Sequence, residues 1–169
     1  GVSLLNNAKY GYDIKGNVMR LSLLRSPKSP DPAADRGRHS IEYALYPHAG
    51  TWMEAGTVHR GYQFNSPIIA SITDSHKGTQ PAEFSFIKLG PANMILTTVK
   101  KAEDSNACIL RWYDAAGKDT DAVLQLPKAP VKLLESNFLE EDGPTVSTLK
   151  GTVHVPTRHN GVVTLKVYF

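Results

Sequence analysis

The chain has 169 residues, 41% of them apolar and 21% charged, with 19 basic and 16 acidic side chains giving a formal charge of +3. This composition fits a folded protein with one core or two small modules, and it excludes a disordered chain. The charges are scattered, with no basic run carrying interleaved aromatics, and no apolar run approaches the roughly 18 residues that cross a bilayer, so neither a nucleic-acid nor a membrane partner is expected.

In chain order, Val2–Leu5 and Val18–Leu24 read as strands, separated by Asn6-Asn7 and a loop over Tyr10-Gly11-Tyr12-Asp13 that ends in Gly16-Asn17. Ser26–Pro32 holds three prolines, which excludes a helix interior or a central strand and predicts an exposed loop. Ser40–Tyr46 is strand-like, with Ile41, Tyr43 and Leu45 on one face. Thr51-Trp52-Met53-Glu54 has capping-box spacing and predicts a helix presenting Trp52, Ala55, His59 and Tyr62 on one side until Asn65-Ser66-Pro67 stops it. Pro67–Ile72 reads as a hydrophobic strand, and the polar stretch Thr73–Pro81 as a boundary.

Beyond the boundary, Phe84–Leu89 is strand-like, and Met94–Leu126 reads as three consecutive antiparallel strands. Their turns are Glu103–Asn106, rich in side chains that bond their own backbone, and Asp114–Gly117, where glycine can supply a positive φ. Val131–Leu139, Thr145–Leu149, Gly151–Val155 and Val162–Phe169 continue the pattern. The last two are joined through Asn160-Gly161, a strong tight-turn pair, and Val163, Leu165, Val167 and Phe169 alternate after it. The fold predicted is all-β, an antiparallel β-sandwich region with one short α-helix near residues 51–64.

Self-contained chemistry is hard to find. None of the six histidines forms an i, i+4 pair, and His154 and His159 lie five apart with no cysteine near, so no metal site is expected. Asp31, Asp35 and His39 recur every four residues, but prolines disfavour the helix that would align them. Glu103-Asp104 and Glu140-Glu141-Asp142 read as solvated turn acids, and no Gly-x-Ser-x-Gly elbow occurs. Trp112 reads as core rather than as a sugar-stacking platform, and Cys108 as a small buried hydrophobe. The single cysteine and the absence of an Asn-x-Ser/Thr sequon lean towards a reducing compartment. The chain opens directly on an apolar strand, without an initiator methionine, and so reads as a piece of something longer.

Several stretches carry a resemblance. Leu5–Asp13, Leu21–Pro27, Asp35–His39 and Tyr46-Pro47-His48 resemble the carboxy-terminal half of glycoside hydrolase family 38, the class II α-mannosidases, in their cytosolic and vacuolar branch. Val99–Asp104, Arg111–Gly117 and Glu135–Glu140 are similar to the terminal β-sandwich of the same branch, in the same order. The resemblance implies that residues 1–75 end a central β-sandwich that is incomplete without upstream strands, and that residues 82–169 form the C-terminal sandwich.

It further implies that the zinc (or similar divalent metal) and the two carboxylates of a retaining mechanism lie in an N-terminal catalytic domain. This chain would then hold no catalytic residue and no cofactor, and would be inactive alone. The implied partners are that catalytic domain and a mannose-containing oligosaccharide, with room for a homo-oligomer, in cytoplasm or vacuole. Arg25 is the nearest match to a family arginine that approaches the bound sugar, with Tyr10, Asp13 and Asp35 as companions on the pocket rim. A rival class is a free-standing carbohydrate-binding module that stacks Trp52 or exposed tyrosines on sugar rings, and a third is a structural domain without sugar contact.

Overall fold

The computed structural model describes residues 1–169, and every strand pair in it is antiparallel. The chain divides into two compact units, Gly1–Ile72 and Thr73–Phe169. No helix is long and apolar enough to cross a membrane.

In the first unit, β1 (Val2–Asn6) pairs with β4 (Tyr43–Pro47), and β2 (Tyr12–Lys15) forms a separate hairpin with β3 (Val18–Leu21). The hairpin turns at Gly16, whose φ of 60° suits glycine, so part of the expected loop before Gly16-Asn17 is itself a strand. The capping box forms as read: Thr51 N–H donates to Glu54 Oε2 at 2.7 Å, and Glu54 N–H to Thr51 Oγ1 at 3.3 Å. It closes only a turn, because Gly56 takes a left-handed conformation, φ 62°, and α1 begins after it at Thr57–Asn65. The later start rotates the packed side. Val58, Gly61 and Phe64 are half-buried, whereas Trp52, His59 and Tyr62 are exposed.

The segment from Thr51 through α1 covers one face of the β1–β4 pair. Ser3 Oγ meets Thr57 Oγ1 at 2.9 Å, and Tyr46 Oη donates to the Ala55 carbonyl at 3.1 Å. On the opposite face, Val2, Leu4, Tyr43 and Leu45 are brought together by the register, with Tyr43 58% and Leu45 63% exposed. Pro67–Ile72 finds no strand partner, and Ile68, Ile69 and Ile72 are almost fully exposed.

The second unit packs two sheets face to face. One has the order β10–β9–β12–β7–β6, from β6 (Met94–Lys101), β7 (Cys108–Asp114), β9 (Lys132–Ser136), β10 (Asp142–Thr145) and β12 (Val162–Tyr168). The other has the order β11–β8–β5, from β5 (Lys88–Gly90), β8 (Thr120–Gln125) and β11 (Thr152–Thr157). Leu110, Trp112, Leu165 and Val167 from the first meet Ala122, Leu124, Val153 and Val155 from the second in one buried cluster.

The expected three-strand run is broken. β6 and β7 form a hairpin, but β8 lies in the opposite sheet, and so does β11 relative to β12. Both crossovers converge on Asp114, buried at the end of β7. Its carboxylate accepts N–H groups of Ala116 (3.0 Å), Lys118 (2.9 Å) and Asn160 (3.0 Å), and the Asn93 amide (2.7 Å). Those donors satisfy a turn that a hairpin ladder would otherwise have satisfied, and they tie the two crossover turns together.

The turn acids also differ from expectation. Loops over the outer face of the five-stranded sheet bury Lys166, whose Nζ donates to Asp104 Oδ1 at 2.9 Å, to the Glu140 carbonyl at 3.1 Å, and lies 3.1 Å from Asp142 Oδ1. Glu140 is itself buried, accepting the Glu103 N–H at 2.8 Å and pairing with Lys100. Glu140 is thus a buried anchor rather than a solvated charge, while Asp104 and Asp142 stay exposed yet reach the lysine that strand alternation directed under their loops.

Candidate functional site

Two extended segments at the base of the β2–β3 hairpin form a cleft of about 520 Å³. Ala8–Gly11 supply one wall and Ser22–Arg25 the other, joined where Ser22 N–H donates to the Gly11 carbonyl at 2.8 Å. Gly11 permits this approach, since a Cβ there would sit 3.0 Å from that of Ser22. The proline-rich loop then turns back over Asp31, which accepts the Ala33 N–H at 2.8 Å, and delivers Asp35 to the same cleft.

Of the four rim residues expected from sequence, three line this cleft: Tyr10, Arg25 and Asp35. Tyr10 is 94% exposed, and Arg25 bonds only through its backbone amide, which leaves its guanidinium open to a ligand. Asp13 does not line the cleft and forms an ion pair with Arg20 across the hairpin. Lys9 was not singled out by sequence, yet it is half-buried in the cleft wall, and adjacency to Tyr10 was its only signal.

Asp35 Oδ2 accepts the N–H of Ser26 at 2.8 Å and of Arg25 at 3.3 Å. The Ser26 N–H does most to hold the Asp35 carboxyl below its ordinary value; partial burial opposes it, and the Arg25 N–H with the His39 and Lys9 charges adds to it. His39 Nε2 bonds the Asp35 carbonyl at 2.9 Å, so the Asp35/His39 spacing has a meaning without a helix. The cleft combines two cations, a phenol and a carboxylate with the apolar side chains of Leu23 and Leu24, a lining suited to a polyhydroxylated ligand.

No three His, Cys, Asp or Glu side chains converge in a way that would hold a metal ion. His154 pairs with Asp121 at 2.6 Å and His159 with Asp119 at 2.8 Å, each with its own aspartate.

Residues 93–168 match the glycosyl hydrolases family 38 C-terminal beta sandwich domain, and residues 1–33 match the glycosyl hydrolases family 38 C-terminal domain. The chain belongs to the C-terminal region of glycosyl hydrolase family 38. Among its relatives, it is 39% identical over 149 residues to alpha-mannosidase 2C1 of Mus musculus, covering 86% of this chain and 14% of that protein. It is 42% identical over 142 residues to an alpha-mannosidase of Saccharomyces cerevisiae, covering 73% of this chain and 12% of that protein. Alpha-mannosidase G of Dictyostelium discoideum is 38% identical over 147 residues, covering 83% of this chain and 13% of that protein. The chain thus spans about a seventh of the length of these relatives. The match over residues 1–33 includes Tyr10, Asp13 and Arg25 and ends before Asp35, and the match over residues 93–168 starts at Asn93, one of the donors to Asp114.

Proposed function

We propose that this chain is the non-catalytic C-terminal part of a zinc-dependent retaining α-mannosidase, hydrolysing terminal α-mannosyl residues through a domain that lies elsewhere in the polypeptide. Its first unit packs through the Val2, Leu4, Tyr43 and Leu45 face on upstream strands, and its cleft presents Arg25, Tyr10 and Asp35 at the rim of the sugar pocket. The observation that carries this reading is that uncovered apolar face, in a chain that spans only 12–14% of the length of the alpha-mannosidases it is similar to. A pair of strands with one face covered and the other apolar is a sheet fragment awaiting a layer. A guanidinium without a side-chain partner is suited to orienting sugar hydroxyls and to setting the ionisation of nearby carboxylates.

The test is kinetic and uses the full-length enzyme. Arg25→Ala should raise KM for an aryl α-mannoside about tenfold, the size of one charge-assisted hydrogen bond, and the chain expressed alone should show no turnover. Turnover by the chain alone, or unchanged kinetics in Arg25→Ala, would remove the proposal. The rival binding-module reading rests on Trp52 and Tyr10. Trp112 is buried, so a mannose-dependent change in tryptophan emission from the isolated chain would have to arise at Trp52 and would favour the rival.

A further inference from the structure

Arg25 and Asp35 are ten residues apart, yet one carboxylate oxygen of Asp35 accepts the backbone N–H groups of both Arg25 and Ser26. Ser26 is held at φ 48° and Asp35 at φ 60°, left-handed conformations that side-chain-bearing residues adopt only at a cost. Ser26 thus occupies an unfavourable conformation, its N–H bonded by the Asp35 carboxylate, immediately after Arg25, a cleft-lining residue whose side chain makes no hydrogen bond or ion pair.

We infer that Asp35 is a positioning residue: its carboxylate pins the Arg25–Ser26 backbone so that the Arg25 guanidinium faces the cleft, rather than binding sugar itself. Its Oδ2 is committed to two amides, which leaves it poorly placed to follow a ligand, while the two amides fix the direction in which the Arg25 side chain leaves the chain. The bond from His39 Nε2 to the Asp35 carbonyl anchors the other side of the same residue. This inference rests on the reading of the cleft as a sugar-pocket rim, and extends it by assigning Asp35 a role through Arg25.

The experiment uses the full-length α-mannosidase and an aryl α-mannoside as probe, with KM and kcat read separately. Arg25→Ala is measured first, and if it leaves KM unchanged the rim reading itself fails. Given an effect there, Asp35→Gly, which removes the carboxylate without backbone strain at that position, should raise KM about tenfold. Asp35→Asn, which keeps an acceptor and tolerates the left-handed conformation, should stay within about threefold.

The decisive variant is Asp35→Gly with Ser26→Gly, because glycine adopts the conformation of Ser26 without help. Recovery of most of the lost KM supports positioning, and no recovery overturns it in favour of direct contact. Asp35→Gly should also add less than twofold on the Arg25→Ala background, and independent multiplication of the two effects would likewise overturn the inference. Should Asp35→Gly not fold, Asp35→Asn decides: a KM within about threefold of wild type supports positioning, and a rise of about tenfold overturns it.

Discussion

The indole N–H of Trp112 donates to the Thr157 hydroxyl at 3.1 Å, joining β7 in one sheet to the end of β11 in the other. Both residues are buried, and the Thr157 hydroxyl donates in turn to the Val155 carbonyl at 3.2 Å. Replacing Thr157 by the near-isosteric Val leaves the indole N–H without a partner. The expected loss is about 2 kcal/mol, read as a lower denaturant midpoint with unchanged m-value. A wild-type midpoint would mean that the bond does not couple the sheets.

Asp114 governs both crossover turns, so Asp114→Ala should cost about 2 kcal/mol, leaving several part-buried N–H groups without their acceptor. Burial pushes the carboxyl up, but the Asn160 N–H, the Asn93 amide and the N–H groups of Ala116 and Lys118 together hold it well below the usual carboxylate range. A depressed folded value means that the stabilisation is full above the unfolded value of about 4 and is lost as pH falls towards the folded one. The stability gap between wild type and Asp114→Ala should therefore be constant at neutral pH and narrow below about pH 4. A gap independent of pH down to acid unfolding would contradict this.

Lys166 is a buried cation held by two half-exposed carboxylates, Asp104 and Asp142, and their hydrogen bonds keep its ammonium protonated well above the usual lysine range. The Asp104→Asn, Asp142→Asn pair should destabilise more than Lys166→Met, because it strands the charge in the interior whereas Lys166→Met returns the two acids to water. Comparing the three urea midpoints at neutral pH checks this ordering. With the folded value raised, the contribution is present below the unfolded value of about 10.4 and disappears only at more alkaline pH.

Leu45 lies on the uncovered face of the β1–β4 pair. In the chain expressed alone, Leu45→Lys should reduce self-association without lowering the melting temperature. In the full-length enzyme the same change should lower it, because a lysine would then be buried against the upstream layer. Opposite results in the two contexts are required; a neutral effect in the full-length enzyme would leave the packing proposal without support.

Particular residues show how far sequence reasoning reached. Val163, Leu165 and Val167 alternate into the core as their spacing predicts, Trp112 is core, and Gly117 takes the positive φ its turn needs. Tyr10, Arg25 and Asp35 were singled out by family resemblance, and the fold brings them to one cleft, while Asp13 pairs with Arg20 instead. Nothing local marked Lys9 as a wall of that cleft, or Asp35 as the acceptor for Arg25 and Ser26, since both depend on a proline loop closing back on itself.

The sequence by itself determined most of the strands, most of the turns and the family, because alternation, turn chemistry and short motifs are local and survive without neighbours; Pro67–Ile72 reads as a strand on composition alone and pairs with none. Which sheet each strand joined was decided only by tertiary structure. The Asp114–Gly117 and Asn160-Gly161 turns read as hairpins, yet both cross the sandwich, because a buried Asp114 collects N–H groups from both. The start of α1 was likewise settled by a left-handed Gly56 after a capping box that closes a turn of its own. Burial of Lys166 depended on two distant loops arriving over one strand, and a local pattern carries no information about contacts made by residues tens of positions away.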